Sequence, residues 1–239
     1  MPLPTIATPI YELELPSTKK TVKYRPFLVK EEKLLVLALE SEDTKQITNA
    51  ITAVIKSCII TKGIKVESLP TFDIEYLFLN IRGKSVGEEV ELNIIAPDDG
   101  ETEIPVKINL DDIKVITDES HTTQIKLDDN LMMEMKYPSL DQFIKNNFDF
   151  NDQGNIDQSF ELIGTCIDKI FNQEEVWATA DFSKDEISDF LGQMNSKQFK
   201  LIENFFDTMP KLSHTVKVTN PKTKKKSEVV LEGLSSFFA

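Results

Sequence analysis

The stretch from Thr71 to Val86, TFDIEYLFLNIRGKSV, decides how the N-terminal half of the chain folds. Ile74, Leu77, Phe78 and Ile81 recur at i, i+3, i+4 and i+7, which is one face of a helix. Phe72, Tyr76 and Leu79 widen that face until little of the helix is polar. A helix apolar on most sides is buried rather than laid on a surface. The sequence predicts Thr71 as the N-cap and Asp73 as a favourable first-turn charge. It predicts the helix end at Arg82, Gly83 and Lys84, because cations suit a C-terminus and glycine tolerates the left-handed cap. This helix is therefore expected to thread the middle of the N-terminal half with strands packed on it.

On its N-terminal side, Pro9 to Leu15 alternates apolar and polar residues and reads as a strand. Pro16 to Lys20 is turn chemistry, and Thr21 to Arg25 reads as the return strand of a hairpin. Lys30 to Glu40, KEEKLLVLALE, has the composition of a helix, and Asp43 to Ile60 reads as a second one. On its C-terminal side, Glu88 to Ala96, the turn Pro97 to Gly100 and Glu101 to Ile108 form the clearest hairpin in the chain. Lys114 to Thr117, Thr123 to Leu127 and Leu131 to Tyr137 read as further strands.

At Pro138 the pattern turns helical. Ser139 with Gln142 and Ser183 with Glu186 each have capping-box spacing. Ile156 to Phe171 carries Phe160, Ile163, Ile167 and Ile170 on one predicted helical face, and a helix starting at Ser196 carries Phe199, Ile202, Phe205 and Phe206. Pro210 stops it. His214 to Val218 and Glu228 to Leu231 then flank a turn from Asn220 to Lys226. The expected class is α+β: a mixed domain over 1–138 with antiparallel hairpins and a buried central helix, a helical subdomain over 139–209, and a closing hairpin with an aromatic tail over 210–239.

The chain has 239 residues and a formal net charge of -13. That acidity argues against phosphate-backbone binding and favours protein partners, so no nucleic-acid role is expected. No stretch is long and apolar enough to span a membrane, and the N-terminus lacks the pattern of a secretory signal. Cys58 and Cys166 sit among apolar residues and read as buried free thiols of a reducing compartment. His121 and His214 lie near neither a cysteine nor paired carboxylates, so no metal site is read. Gly83 to Gly87, GKSVG, contains a GKS triplet but lacks the first glycine of a phosphate loop and the strand before it. No GxSxG elbow occurs, and no carboxylate pair stands out among so many. The expectation is a protein without catalytic residues or cofactors. Its candidate partner contacts are the basic run Lys222, Lys224, Lys225 and Lys226 and the terminal Phe237 and Phe238. An aromatic terminus anchors either into a partner or into the chain's own core. If into a partner, deleting Leu234 to Ala239 should abolish assembly and leave the fold intact.

Four stretches, ATPIYELELPST (7–18), YRPFLVKEEKLLVLALES (24–41), FDIEYLFLNIRGKSVGE (72–88) and VTNPKTKKKSEVVLEGLSSFF (218–238), together resemble the baseplate hub subunit and hub-assembly family of T-even-like contractile-tailed bacteriophages. The N-terminal stretches are the more specific. The resemblance implies a virus-encoded protein made in the bacterial host cytoplasm and, by protein–protein contacts, helping to build the hub that joins tail tube, tape-measure protein and cell-puncturing spike. Its partners would be other hub or tail proteins. The alternative is a transient chaperone, for example for the tape-measure protein, absent from the finished virion.

Overall fold

The computed structural model of the protein describes residues 6–41, 43–139 and 156–237. Among the described residues, six helices and eleven strands, in small antiparallel sheets, make the α+β fold expected from the sequence. The chain forms two compact units, Thr117–Pro210 and the residues on either side of it, Met1–Ile116 with Lys211–Ala239.

In the first unit, β1 (Tyr11–Glu14) and β2 (Thr21–Tyr24) form the expected hairpin. Helices α1 (Val29–Glu40) and α2 (Thr44–Cys58) follow, the second capped by Asp43, whose carboxylate accepts the backbone N–H groups of Lys45 and Gln46. Next comes α3, which covers Thr71–Val86, the whole of the stretch quoted above. Its apolar girth is used on nearly every side: Phe72, Ile74, Leu77, Phe78, Leu79 and Ile81 are all buried. Two details of its ends differ from expectation. Pro70 rather than Thr71 takes the N-cap position, and Asp73 is fully buried, where it accepts the Ser17 backbone N–H at 3.0 Å and the Ser17 hydroxyl. Burial raises the Asp73 carboxyl above its ordinary value, and the two bonds from Ser17 oppose the rise. The helix also runs on past Gly83, because Ser85 is anchored: its hydroxyl donates to Ile81 O and accepts the Phe27 N–H at 2.9 Å. It stops at Gly87, whose φ of 122° no other residue adopts easily.

Hairpin β3 (Glu89–Ile95) to β4 (Glu103–Asn109) matches the reading of PDDG as a turn, with Gly100 at φ 70°. Strand β5 (Lys114–Ile116) does not pair with its neighbours in sequence. It pairs with β10 (Lys211–Thr219), which pairs in turn with β11 (Lys226–Glu232), in the order β11-β10-β5. Leu79 of α3 shares a core cluster with Leu92, Ile108, Leu212 and Phe237, so α3 and both hairpins close on one another.

The second unit is not purely helical. Strands β6 (Gln124–Lys126), β7 (Met132–Met135), β8 (Ile167–Phe171) and β9 (Val176–Ala178) form one antiparallel sheet in chain order. Helices α4 (Ile156–Cys166), α5 (Lys184–Gly192) and α6 (Ser196–Thr208) share its core, around Met133, Met135, Ile163, Cys166, Leu191 and Phe205. The helix expected over Ile156 to Phe171 is thus a helix followed by a strand, because β8 bonds to β7 on one side and β9 on the other. Ser183 and Glu186 form the expected capping box, while α6 is capped by Asn195, one residue before Ser196, reciprocally with Gln198. The helical start expected at Ser139 with Gln142 lies outside the described residues. Strands β6 and β7, expected in the N-terminal domain, belong to this unit, and the closing hairpin belongs to the first. The expected break at Pro138 therefore differs from the division at Ile116 and Thr117.

Candidate functional site

Lys222, Lys224 and Lys225 lie in the turn between β10 and β11, Lys226 opens β11, and all four are exposed. The turn is held from inside by Asn220, which is 1% exposed. Its Oδ1 accepts the Lys222 N–H at 2.8 Å, and its Nδ2 donates to Asp98 Oδ1 at 3.0 Å and Asp99 Oδ2 at 2.9 Å. Thr223 donates its hydroxyl to Asp98. The PDDG tip of β3–β4 and the lysine tip of β10–β11 are therefore joined side by side. Hydrogen bonds from Thr223 and Asn220 hold Asp98 below its ordinary value, and bonds from Thr102, Asn220 and Glu101 do the same to Asp99. Two ionised aspartates beneath the turn reduce the positive field that its four lysines project.

The two terminal phenylalanines part company. Phe237 closes the 3-10 turn Leu234–Phe237 with no exposed surface, packed with Leu79, Ile113 and Leu212. The Leu234 N–H, which opens that turn, donates to Glu75 Oε1 of α3 at 3.1 Å. Of the two anchorages open to an aromatic terminus, Phe237 takes the chain's own core. Deleting Leu234 to Ala239 would remove that core side chain, so the truncation cannot leave the fold untouched. Phe238 lies outside the described residues.

Helix α1, of which the sequence shows only a helical composition, carries a run of exposed apolar side chains. Val29 is 80% exposed and Leu39 58%, with Leu34, Val36 and Leu37 also open. Of its twelve residues only Glu31 and Ala38 are buried. Between α1 and α2 runs an open groove of about 330 Å³, lined by Leu34, Leu37, Ala38, Gln46, Asn49 and Ala50, among others. A polar clasp holds the helix at its N-terminal end. Arg25 Nη2 lies 3.0 Å from Glu31 Oε1 and 3.0 Å from Ser57 Oγ, Ser57 donates to Glu31 Oε1 at 2.7 Å, and the Leu28 N–H donates to Glu31 Oε2 at 2.6 Å. This clasp ties the end of β2, the start of α1 and the end of α2. The run LLVLAL was visible in the sequence, but which of its side chains the chain leaves open is a tertiary fact.

The remaining candidates serve structure. His121 forms a three-ring cluster with Tyr137 and Phe205, its Nδ1 2.9 Å from Thr208 Oγ1 and its Nε2 3.0 Å from Tyr137 Oη. Burial lowers its pKa. His214 sits on β10 opposite Leu231. Cys58 and Cys166 are free and buried, and burial pushes their thiols up to about 11 and about 12. Among the described residues no group of three or more His, Cys, Asp or Glu could hold a metal ion, and no helix is long and apolar enough to cross a membrane.

The family model described as T4 bacteriophage base plate protein covers residues 8–239. No curated protein and no solved structure matches.

Proposed function

Since the chain belongs to the T4 bacteriophage base plate protein family, we propose that it helps to build the central hub of the baseplate through protein–protein contacts, and that the outer face of α1 is its principal contact. The observation that carries this reading is the exposure of Val29, Val36 and Leu39 on a helix whose other side already rests on α2. Exposed apolar patches of this kind on otherwise polar proteins mark interfaces. The occupant is a different hub or tail protein rather than a second copy, because a second copy brings another net charge of -13 to the contact. The lysine turn is an accessory contact for an acidic surface, weakened by Asp98 and Asp99 beneath it.

The double variant V36E/L39E tests the reading in an infection complemented from a plasmid. Both positions are exposed, so stability should stay within about 0.5 kcal/mol of the parent, checked by urea unfolding. Functional baseplates should fall at least tenfold. Normal particle yield from the double variant would overturn the α1 contact. Mass spectrometry of purified particles, calibrated against the tail tube protein, tests the role itself. A few copies per particle support a hub component. Absence from particles, with abundant protein in the lysate, would replace this reading by that of a transient chaperone whose client, such as the tape-measure protein, covers α1 only during assembly.

A further inference from the structure

The second unit carries a cleft that the α1 reading does not use. It measures about 380 Å³ and is walled by Ile167 and Ile170 of β8, Trp177 of β9, Phe182, and Ile187 and Phe190 of α5. That volume falls at the lower end of the range of clefts that take a specific ligand, roughly 300–1,000 Å³. Two polar side chains reach its wall, and both are already engaged. Thr179 donates its hydroxyl to Asp168 O at 3.0 Å. Glu186 accepts the Ser183 backbone N–H at 2.8 Å and the Ser183 hydroxyl at 2.7 Å. A polar small molecule would therefore find little inside to orient it, and recognition in the cleft itself rests on apolar fit.

Outside the cleft the chemistry is charge of one sign. The segment from 172 to 190 that supplies Trp177, Phe182, Ile187 and Phe190 also carries Glu174, Glu175, Asp181, Asp185, Glu186 and Asp189, all exposed. Its one base is Lys184, which is paired to Glu161 of α4. Apolar walls and an acidic surround are the complement of an amphipathic segment with large apolar side chains and Lys or Arg beside them. The chain's own residues 140–155, LDQFIKNNFDFNDQGN, have apolar side chains but set Asp141, Asp149 and Asp152 against Lys145, so charge does not favour them as the occupant. We infer that this cleft is a second docking site, for a basic amphipathic segment of a partner protein that inserts apolar side chains between Trp177, Phe182 and Phe190 while its cations face the surrounding carboxylates.

Trp177 is the chain's single tryptophan, so its emission reports the cleft without labelling. The experiment titrates the full chain with three synthetic peptides of equal length, none containing tryptophan. One has two leucines flanked by lysines, one the same leucines flanked by glutamates, and one the lysines with serine in place of leucine. The lysine–leucine peptide is expected to shift Trp177 emission saturably. Its affinity should drop at least tenfold as salt is raised from about 50 mM to about 500 mM, since exposed charge pairs are screened. The other two peptides should leave the emission unchanged. Two variants at exposed positions, F182S and the triple charge reversal E174K/E175K/D189K, should each weaken binding about tenfold, with circular dichroism and unfolding midpoint unchanged. Equal binding of the glutamate-flanked peptide would overturn the charge argument. Silence of Trp177 toward all three peptides, as when the chain itself fills the cleft, would overturn the site. Binding retained in both variants would move it elsewhere. Each of these outcomes is independent of what V36E/L39E does to baseplate assembly.

Discussion

At the scale of residues, Glu31 shows how the first unit manages a helix that buries little of itself. Burial alone would raise its carboxyl. Hydrogen bonds from Arg25, Ser57 and the Leu28 N–H reverse the sign and lower it from an ordinary 4.5 to about 2. A carboxyl depressed in the folded state stabilises fully above its unfolded value, and that stabilisation is lost as pH falls from 4.5 toward about 2. A shift of this size corresponds to about 3 kcal/mol. The variant E31Q should therefore unfold at lower urea at pH 7, by about that amount, and its deficit against the parent should close as both are taken to pH 2. A deficit that stays constant over that range would mean that the clasp does not depend on the charge. None of this was legible beforehand, because Arg25, Glu31 and Ser57 form no local motif and meet only when α2 returns to β2. The burial of Cys58 and Cys166 was legible, because each cysteine sits among apolar residues.

At the scale of elements, Gly164 of α4 marks a close approach to α5 in the second unit. An added Cβ there would lie 2.9 Å from Ile187 Cγ2 on α5. Alanine gains about 1 kcal/mol of helix propensity over glycine, whereas overpacking costs about 1–3 kcal/mol. G164A is expected to lose about 1 kcal/mol in chemical denaturation, and the loss should disappear in an I187A background, where the clashing methyl is gone. A gain in stability from G164A alone would show that α5 yields freely. The elements themselves were unequally readable. The stretch at 71–86 was plain because its apolar residues exceed any single face and the chain surrounds it. For α1 the composition gave a helix but not its placement, and only Glu31 and Ala38 of its residues are buried. The step from α4 to β8 was missed because Ile163, Ile167 and Ile170 satisfy helical spacing, and only the ladders to Met132–Met135 and Val176–Ala178 settle the matter. Strand β9 had a signal that went unused: Asn172 Oδ1 accepts the Glu174 and Glu175 N–H groups, a turn that can be read from an Asn before a Val-Trp pair.

At the scale of the molecule, the second unit is an insertion. It leaves the first after Ile116 and returns at Lys211, and these two residues face each other as the last pair of the β5–β10 ladder. Joining them through Asn-Gly, the two-residue turn that suits an antiparallel hairpin, should give a protein that keeps cooperative unfolding and the α1 surface. Circular dichroism with urea titration checks the first, and capture of the same partner as the full chain checks the second. Non-cooperative unfolding would show that the first unit does not stand alone. This nesting was hidden in the sequence because β5 and β10 are a short strand and a distant one, and their pairing leaves no periodic trace. It also gives the protein an order in time. On a ribosome the inserted unit is complete once Pro210 has emerged, whereas the first unit still lacks β10, β11 and Phe237, the side chain that fills its core. The part begun first is finished last, so a chain cut short after residue 210 carries a completed second unit on an open first one.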